Sequence, residues 1–113
     1  DRAAMEVAFE RVCAGEADPA CLSCGGILKS ATISFGQGLV AEDLARSQQA
    51  ALECDLMFAI GTTLAVFPIA AVVPVADRAG ASVVTLNAEA TEMDDLADVV
   101  LRGQIGEILP VLI

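Results

Sequence analysis

The sequence predicts an α/β fold built on a parallel sheet, and three observations carry that prediction. Two short apolar runs, residues 56–60 and 82–86, stop abruptly at Gly61 and Asn87. Between them, Ile69, Val72, Val73 and Ala76 recur at the spacing of one helix face, and strand alternating with helix is the pattern of parallel βαβ units. Hydrophobic residues make up 56% of the chain and mean hydropathy is +0.66, values that suit strands buried on both faces.

In chain order, residues 1–12 place Met5, Ala8, Phe9 and Val12 along one side of a short amphipathic helix. Residues 13–26 (CAGEADPACLSCGG) have the Gly, Pro, Asp and Cys content of a loop. Ile27, Leu28 and then residues 31–35 read as extended chain ending at Gly36, and the Ala, Leu, Gln and Arg content of residues 41–54 predicts a helix. The strand over 56–60 is followed by a helix over 68–79, with Pro68 in its first turn and Gly80 just past its end. Pro74 should kink or shorten it. After the strand over 82–86, the acidic stretch ATEMDDLAD reads as a loop in which Glu89, Glu92, Asp94 and Asp95 face solvent. Residues 98–101 form a third short strand in this reading, and residues 105–113 a closing apolar helix. No internal repeat or low-complexity tract interrupts the pattern.

At 113 residues the chain is one domain at most, large enough for a core but small for a complete cofactor-using enzyme. It opens at Asp1 with no charged and apolar leader, which predicts no signal peptide and a start partway through a larger protein. The net charge of −10 repels phosphate backbones, and the 4% aromatic content leaves little for base stacking, so nucleic acid is not an expected partner. Residues 56–76 carry no charge and are long enough to span a bilayer. They also contain Gly61, Thr62, Thr63, Pro68 and Pro74 and are flanked by Asp55 and Asp77, so no membrane role is expected. Histidine is absent altogether, which removes the usual general base and the commonest transition-metal ligand. The four cysteines, Cys13, Cys21, Cys24 and Cys54, lack the spacing of a secreted disulfide scaffold and favour a reducing, cytoplasmic setting.

In α/β sheets, ligands bind where strands end and helices begin. Gly61 would let a phosphate or ribose approach the backbone there, with the adjacent Thr62 and Thr63 hydroxyls as hydrogen-bonding groups. Read from the residues alone, Gly61-Thr62-Thr63 and Asn87 are equally plain strand terminators, and Phe35 is equally a core residue.

Five segments in order resemble the C-terminal part of a sirtuin, the family of NAD-dependent protein-lysine deacylases, and cover essentially the whole chain. CLSCGGILK (21–29) resembles the second zinc-binding Cys-x-x-Cys and the strand after it. ATISFGQGL (31–39) resembles the substrate-binding segment around Phe-Gly-Glu, and IGTTLAVFP (60–68) the Gly-Thr-Ser-Leu-x-Val-x-Pro motif. VVTLNAEAT (83–91) resembles the strand ending in the Asn that holds the adenosine ribose. DDLADVVLRGQIGEILPVLI (94–113) resembles the closing segment beside the adenine.

The resemblance implies the C-terminal half of a Rossmann-like parallel sheet (27–113) preceded by part of a zinc-binding module (1–26). It implies that Gly61, Thr62 and Thr63 line the adenosine and phosphate side of an NAD site. Asn87, with Ala88 and Glu89 behind it, would meet the adenine ribose, its amide both donating to and accepting from hydroxyls, and Ile105 would sit near the adenine. Ile33, Phe35 and Gly36 would pair with an acyl-lysine peptide by strand addition. Thr63 stands where the family has serine, keeping the hydroxyl, and Gln37 stands where it has glutamate, losing a charge.

Structural zinc takes four ligands in tetrahedral geometry. Cys21 and Cys24 supply one knuckle, the resemblance placing the other upstream of this chain; a site that adds Cys13 and Cys54 is the alternative by spacing. Cys54 also reads as an ordinary buried thiol. The family's Gly-Ala-Gly phosphate loop, its Gln-Asn-x-Asp segment and its catalytic histidine have no counterpart here. The resemblance therefore implies part of an NAD-dependent protein deacylase with its catalytic half missing, no catalytic residue of its own, and that N-terminal half as a partner. A stand-alone nucleotide- or zinc-binding module is the alternative, and a membrane-associated peptide built on residues 56–76 is the third reading. A sheet left half open would also tend to self-associate.

Overall fold

Val83, Thr85 and Leu86 are the most deeply buried run of side chains in the protein, and they lie on one strand. In the computed structural model, which describes residues 2–113, that strand is the middle of a three-stranded parallel sheet. Asp1, the first residue of the predicted zinc-module segment, lies outside the described residues. The chain divides into two compact units, the first ending at Gly38 and the second spanning Leu39–Ile113.

In the first unit, helix α1 (Met5–Cys13) is followed by the cysteine knuckle. Ala20 and Ile27 form an antiparallel bridge across it, reinforced by Leu28 N–H donating to Pro19 O at 3.1 Å. Arg11 on α1 ties the helix to this loop, donating to Ala20 O at 2.7 Å and pairing with Glu16 at 2.6 Å. The extended chain expected over residues 31–35 joins no sheet. Its residues have no partner strand among those described, and the segment ends instead in a turn.

The second unit begins with α2 (Ala41–Glu53), then β1 (Leu56–Ile60), α3 (Val72–Ala79), β2 (Ser82–Asn87), β3 (Val99–Arg102) and α4 (Ile105–Leu112). The sheet order is β1-β2-β3, with Leu56 opposite Ser82 and Asn87 opposite Arg102. The predicted helix over 68–79 starts as a 3₁₀ turn, Ile69–Ala71, before becoming α3. Pro74 sits in the first turn of α3, where a missing N–H costs little. Gly80 closes the helix at φ +99°, with Ala81 N–H reaching back to Ala76 O at 3.0 Å.

Small residues let α2 and α3 approach: Ala51, Ala76 and Ala81 form one buried cluster, edged by Cys54, Met57 and Val75. Leu64, Ala70, Val73, Val83 and Met93 form the other, packed against Met57, Ala59, Val72 and Ala97. The strand over 56–60 departs from expectation. It forms an edge of the sheet, and Leu56 is 53% exposed, so β2 alone is the strand covered on both faces. The apolar character of β1 fits a strand whose outer edge faces no neighbour among the described residues.

Candidate nucleotide site at the strand ends

The carboxyl ends of the three parallel strands are stitched together by main-chain hydrogen bonds. Gly61 N–H, just past β1, donates to Leu86 O on β2 at 2.9 Å. Gly103 N–H, just past β3, donates to Asn87 O at 3.2 Å. Glu92 N–H, in the loop after β2, donates to Thr63 O at 2.9 Å and so joins the first two strand-end loops directly.

Gly61 has φ +67°, and a Cβ there would stand 2.7 Å from Ile105 Cδ1 at the start of α4. The backbone conformation therefore favours glycine, and a larger residue would also push the Ile105 side-chain end aside. Thr62 Oγ1 accepts from Leu64 N–H at 3.1 Å, leaving its own hydroxyl hydrogen free to donate. Leu64 is buried at φ +58°, a left-handed conformation seldom taken by a branched apolar residue. Asn87 Nδ2 donates to Glu89 O at 3.0 Å, which fixes the side-chain plane, and among the described residues nothing donates to its Oδ1. The structure thus sets Gly61 against Ile105, ties Thr63 to Glu92, and joins Asn87 to Glu89, all at one end of the sheet. Ala88 and Glu89 are exposed on the loop. The free hydroxyl of Thr62, the exposed Thr63 and the open amide oxygen of Asn87 fit a ligand rich in phosphate and ribose oxygens. Beneath the Thr62–Leu64 turn, a groove of about 260 Å³ is lined by Met57, Ala59, Val66 and Ile69.

The loop after β2 is more than a solvated acidic stretch. Asp94, expected at the surface, has a side chain only 20% exposed and anchors four hydrogen bonds. Its Oδ1 accepts from the hydroxyls of Thr91 at 2.6 Å and Thr85 at 3.3 Å. Its Oδ2 accepts from Thr91 N–H at 3.1 Å and Arg102 at 2.7 Å. The Thr91 hydroxyl and N–H, followed by the Arg102 guanidinium, hold this carboxyl well below the usual carboxylate range. Asp94 and Arg102 were missed as part of this region. The signal available was the Thr-x-x-Asp spacing of residues 91–94, a hydroxyl and a carboxylate one helical turn apart.

In the first unit, Phe35 and Gly36 occupy the centre of a turn closed by Gln37 N–H donating to Ser34 O at 3.0 Å, with Gly36 at φ +83°. Phe35 is 93% exposed and Ile33 half-exposed. An apolar groove of about 640 Å³ in the same unit is lined by Met5, Ala8, Phe9, Val12, Ile27 and Leu28, and none of the candidate residues lines it.

The knuckle is turned by Cys21 N–H donating to Gly26 O at 2.7 Å and Gly25 N–H donating to Cys21 O at 2.8 Å. Backbone N–H groups of Cys24 and then Ser23 pull the Cys21 thiol down to about 7, the environment a thiolate ligand needs. Among the described residues no group of three or more cysteine, histidine or carboxylate side chains gathers as a metal would require. Within the first unit Cys13 does not gather with Cys21 and Cys24, and the two donors of the knuckle are too few by themselves for a tetrahedral ion. Among the described residues no helix is long and apolar enough to cross a membrane; residues 56–76 form β1, the turn after it, the 3₁₀ turn and the start of α3.

A profile described as the Sir2 family matches residues 2–68. The chain is 44% identical over 112 residues to an NAD-dependent protein deacetylase 2 of Streptomyces coelicolor, covering 99% of this chain and 46% of the relative. It is 47% identical over 91 residues to an NAD-dependent protein deacetylase 1 of Bradyrhizobium diazoefficiens, covering 80% of this chain and 36% of that one. The chain thus spans about half the length, or less, of the curated relatives it matches. Among solved structures it resembles Sir2Af2 bound to a myristoylated histone peptide, with a TM-score of 0.76 at 34% identity over 93% of this chain and 44% of that one. A second Sir2 enzyme structure gives a TM-score of 0.75 at 33% identity, over 92% and 43% of the two chains. The near-complete match to relatives of this identity, together with the α/β architecture shared with solved Sir2 structures, decides the assignment: the chain belongs to the Sir2 family.

Proposed function

We propose that this chain supplies the adenosine side of an NAD site and the peptide-binding segment of an NAD-dependent protein-lysine deacylase. The observation that carries the proposal is the convergence of Gly61, Thr63, Ile105 and Asn87 at the carboxyl ends of parallel strands, where nucleotides bind in open α/β sheets. In this reading Thr62 and Thr63 hydroxyls donate to the phosphates. Asn87 takes the adenine ribose, with Ala88 and Glu89 shaping the loop, and Ile105 packs on the adenine. Ile33, Phe35 and Gly36 hold the acylated-lysine peptide; relatives are named for the deacetylase activity, and the peptide carried by the similar Sir2Af2 structure is acylated. NAD, when bound, supplies the ADP-ribose that accepts the acyl group.

The chain contains no histidine, so a histidine base for the proton transfers of such a reaction would come from residues outside it. The zinc expectation takes the same form: Cys21 and Cys24 would contribute two thiolates and another segment the remaining pair, with residues 1–26 as the zinc-module part and 27–113 as the nucleotide-binding part. The sequence count without histidine also favours a second reading, a nucleotide-binding module without catalysis.

Titration of ADP-ribose into the protein carrying this sequence tests the shared part of both. Asn87→Ala should weaken ADP-ribose binding about tenfold, the loss of one or two ribose hydrogen bonds. An unchanged affinity would remove the nucleotide from this end of the sheet. Nicotinamide release on adding NAD and an acetyl-lysine peptide separates the two readings. Release supports the deacylase, and ADP-ribose binding without release supports the module.

A further inference from the structure

The carboxylate of Asp94 touches the loop after β2 from three directions. Thr85, inside β2 and 1% exposed, donates its hydroxyl from two residues before Asn87. Thr91 donates its hydroxyl and its N–H from two residues after Glu89. Arg102, opposite Asn87 in the β2–β3 register, donates from the last residue of β3. Asn87, Ala88 and Glu89 therefore form a short arc whose two feet are pinned to one carboxylate, and whose neighbouring strand is pinned to it as well. Within the arc, Asn87 Nδ2 is bonded to Glu89 O, so displacement of the loop carries the amide with it. The bond from Glu92 N–H to Thr63 O extends the same constraint to the turn after β1.

We propose that Asp94, braced by Arg102, is a positioning residue that sets the Asn87 amide for recognition of ribose hydroxyls. The inference rests on the nucleotide reading of this strand end and adds the group that makes Asn87 selective. Asp94 does not face the ligand. It acts by holding the loop so that Asn87 Oδ1 and Nδ2 present a fixed pair of acceptor and donor, and preorganised hydrogen-bonding groups discriminate far better than mobile ones. Two donors to each carboxylate oxygen leave little freedom for the loop. An amide there either sets its nitrogen against Arg102 and the Thr91 N–H, donor against donor, or turns it to the Thr85 and Thr91 hydroxyls and forces them to accept; in both orientations the charge that pairs with Arg102 is lost.

The experiment compares ADP with its 2′-deoxy and 3′-deoxy forms by calorimetric titration of the protein carrying this sequence. The unmodified protein should prefer ADP over at least one deoxy form by about tenfold, as one well-placed hydrogen bond gives. Asp94→Asn should reduce that preference to less than about threefold, while its affinity for the deoxy form stays within about twofold of the parent. Arg102→Lys, which keeps a charged donor, should retain most of the preference, and Arg102→Gln should lose it. A merely structural role would weaken ADP and its deoxy forms alike and leave the ratio where it was. Should Asp94→Asn fail to fold, Thr91→Val removes one donor at the loop's far foot and should lower the same ratio. An unchanged ratio in Asp94→Asn and Thr91→Val, with Asn87→Ala abolishing it, overturns the positioning role. An unchanged ratio in Asn87→Ala overturns the nucleotide reading on which it rests.

Discussion

Gly61 combines a left-handed backbone with a close neighbour, so a methyl group there has two separate costs. At φ +67° an L side chain is strained, and its Cβ would meet Ile105 Cδ1 at 2.7 Å. The Ile105 terminus can rotate away, which makes the backbone term the larger. Gly61→Ala should destabilise the second unit by about 1–2 kcal/mol and weaken ADP-ribose binding by displacing Ile105. Urea midpoints with and without ADP-ribose measure both, and an unchanged midpoint would contradict the strain. Thr85→Val is the complementary test of a buried polar group. The hydroxyl is inside the sheet and is matched to Asp94 at 3.3 Å; its replacement by a methyl of similar size should cost about 1 kcal/mol. The ends of β1 and β2 at Gly61 and Asn87, and the start of α4 at Ile105, were legible in the sequence because apolar runs that stop at Gly or Asn mark such ends. Leu64 was not legible: nothing in a leucine announces φ +58°, which arises because Thr62 Oγ1 captures its N–H and the side chain is drawn into the core. Asp94 was misread because an acidic run looks solvated until the threonines and arginine that fold onto one member are known.

At the scale of elements, the sheet is stabilised unevenly. Leu86 is wholly buried on β2, whereas Val99 on β3 is 46% exposed. Leu86→Ala should therefore cost about 2–5 kcal/mol, and Val99→Ala less than about 1 kcal/mol; equal losses would mean that burial on β2 is not what holds the sheet. The strands of the second unit were legible because short continuous apolar runs end at Gly61 and Asn87, and its helices from composition over 41–54 and from period-3.6 spacing bounded by Pro68 and Gly80. The extended reading of residues 31–35 failed because β character in a sequence promises a strand only where a partner exists, and Gly36 instead lets the chain turn. The link between β2, β3 and the loop that joins them has a pH signature. The Asp94 carboxyl is held below its ordinary value by Thr91 and Arg102, so the folded form binds its proton less readily than the unfolded chain does. Its contribution to stability is present above the unfolded value, about 4, and is lost progressively as pH falls from there toward the folded value. Asp94→Asn should lower the urea midpoint at neutral pH and flatten its decline below about pH 4. A variant whose acid limb keeps the parent's slope would show that other carboxylates govern it.

For the molecule as a whole, two opposing forces set how copies of this chain behave together. A net charge of −10 on 113 residues repels a second copy at long range. Against it stand large apolar side chains left in water, among them Leu22, Ile27, Phe35 and Phe67, and the outer edge of β1, which pairs with no strand among the described residues. An unpaired edge with apolar flanks is a template for strand addition, and only charge or cover blunts it. The repulsion acts over a Debye length of about 30 Å at 0.01 M salt and about 3 Å at 1 M, whereas apolar burial does not weaken with salt. Self-association of the 113-residue chain should therefore be slight in dilute buffer and strengthen as salt is raised, the reverse of an interface made by ion pairs. Sedimentation velocity across a salt series reads this directly, as a weight-average mass that climbs above 11.6 kDa. A single 11.6 kDa species at every salt concentration would mean that the β1 edge is closed to strand addition by the chain's own side chains. If β1 is the contact, Phe58→Lys, which places a charge on that edge strand, should shift the onset of association to higher protein concentration. Association that persists unchanged in that variant would assign the contact to exposed apolar side chains away from β1, such as Leu22, Ile27, Phe35 and Phe67, instead.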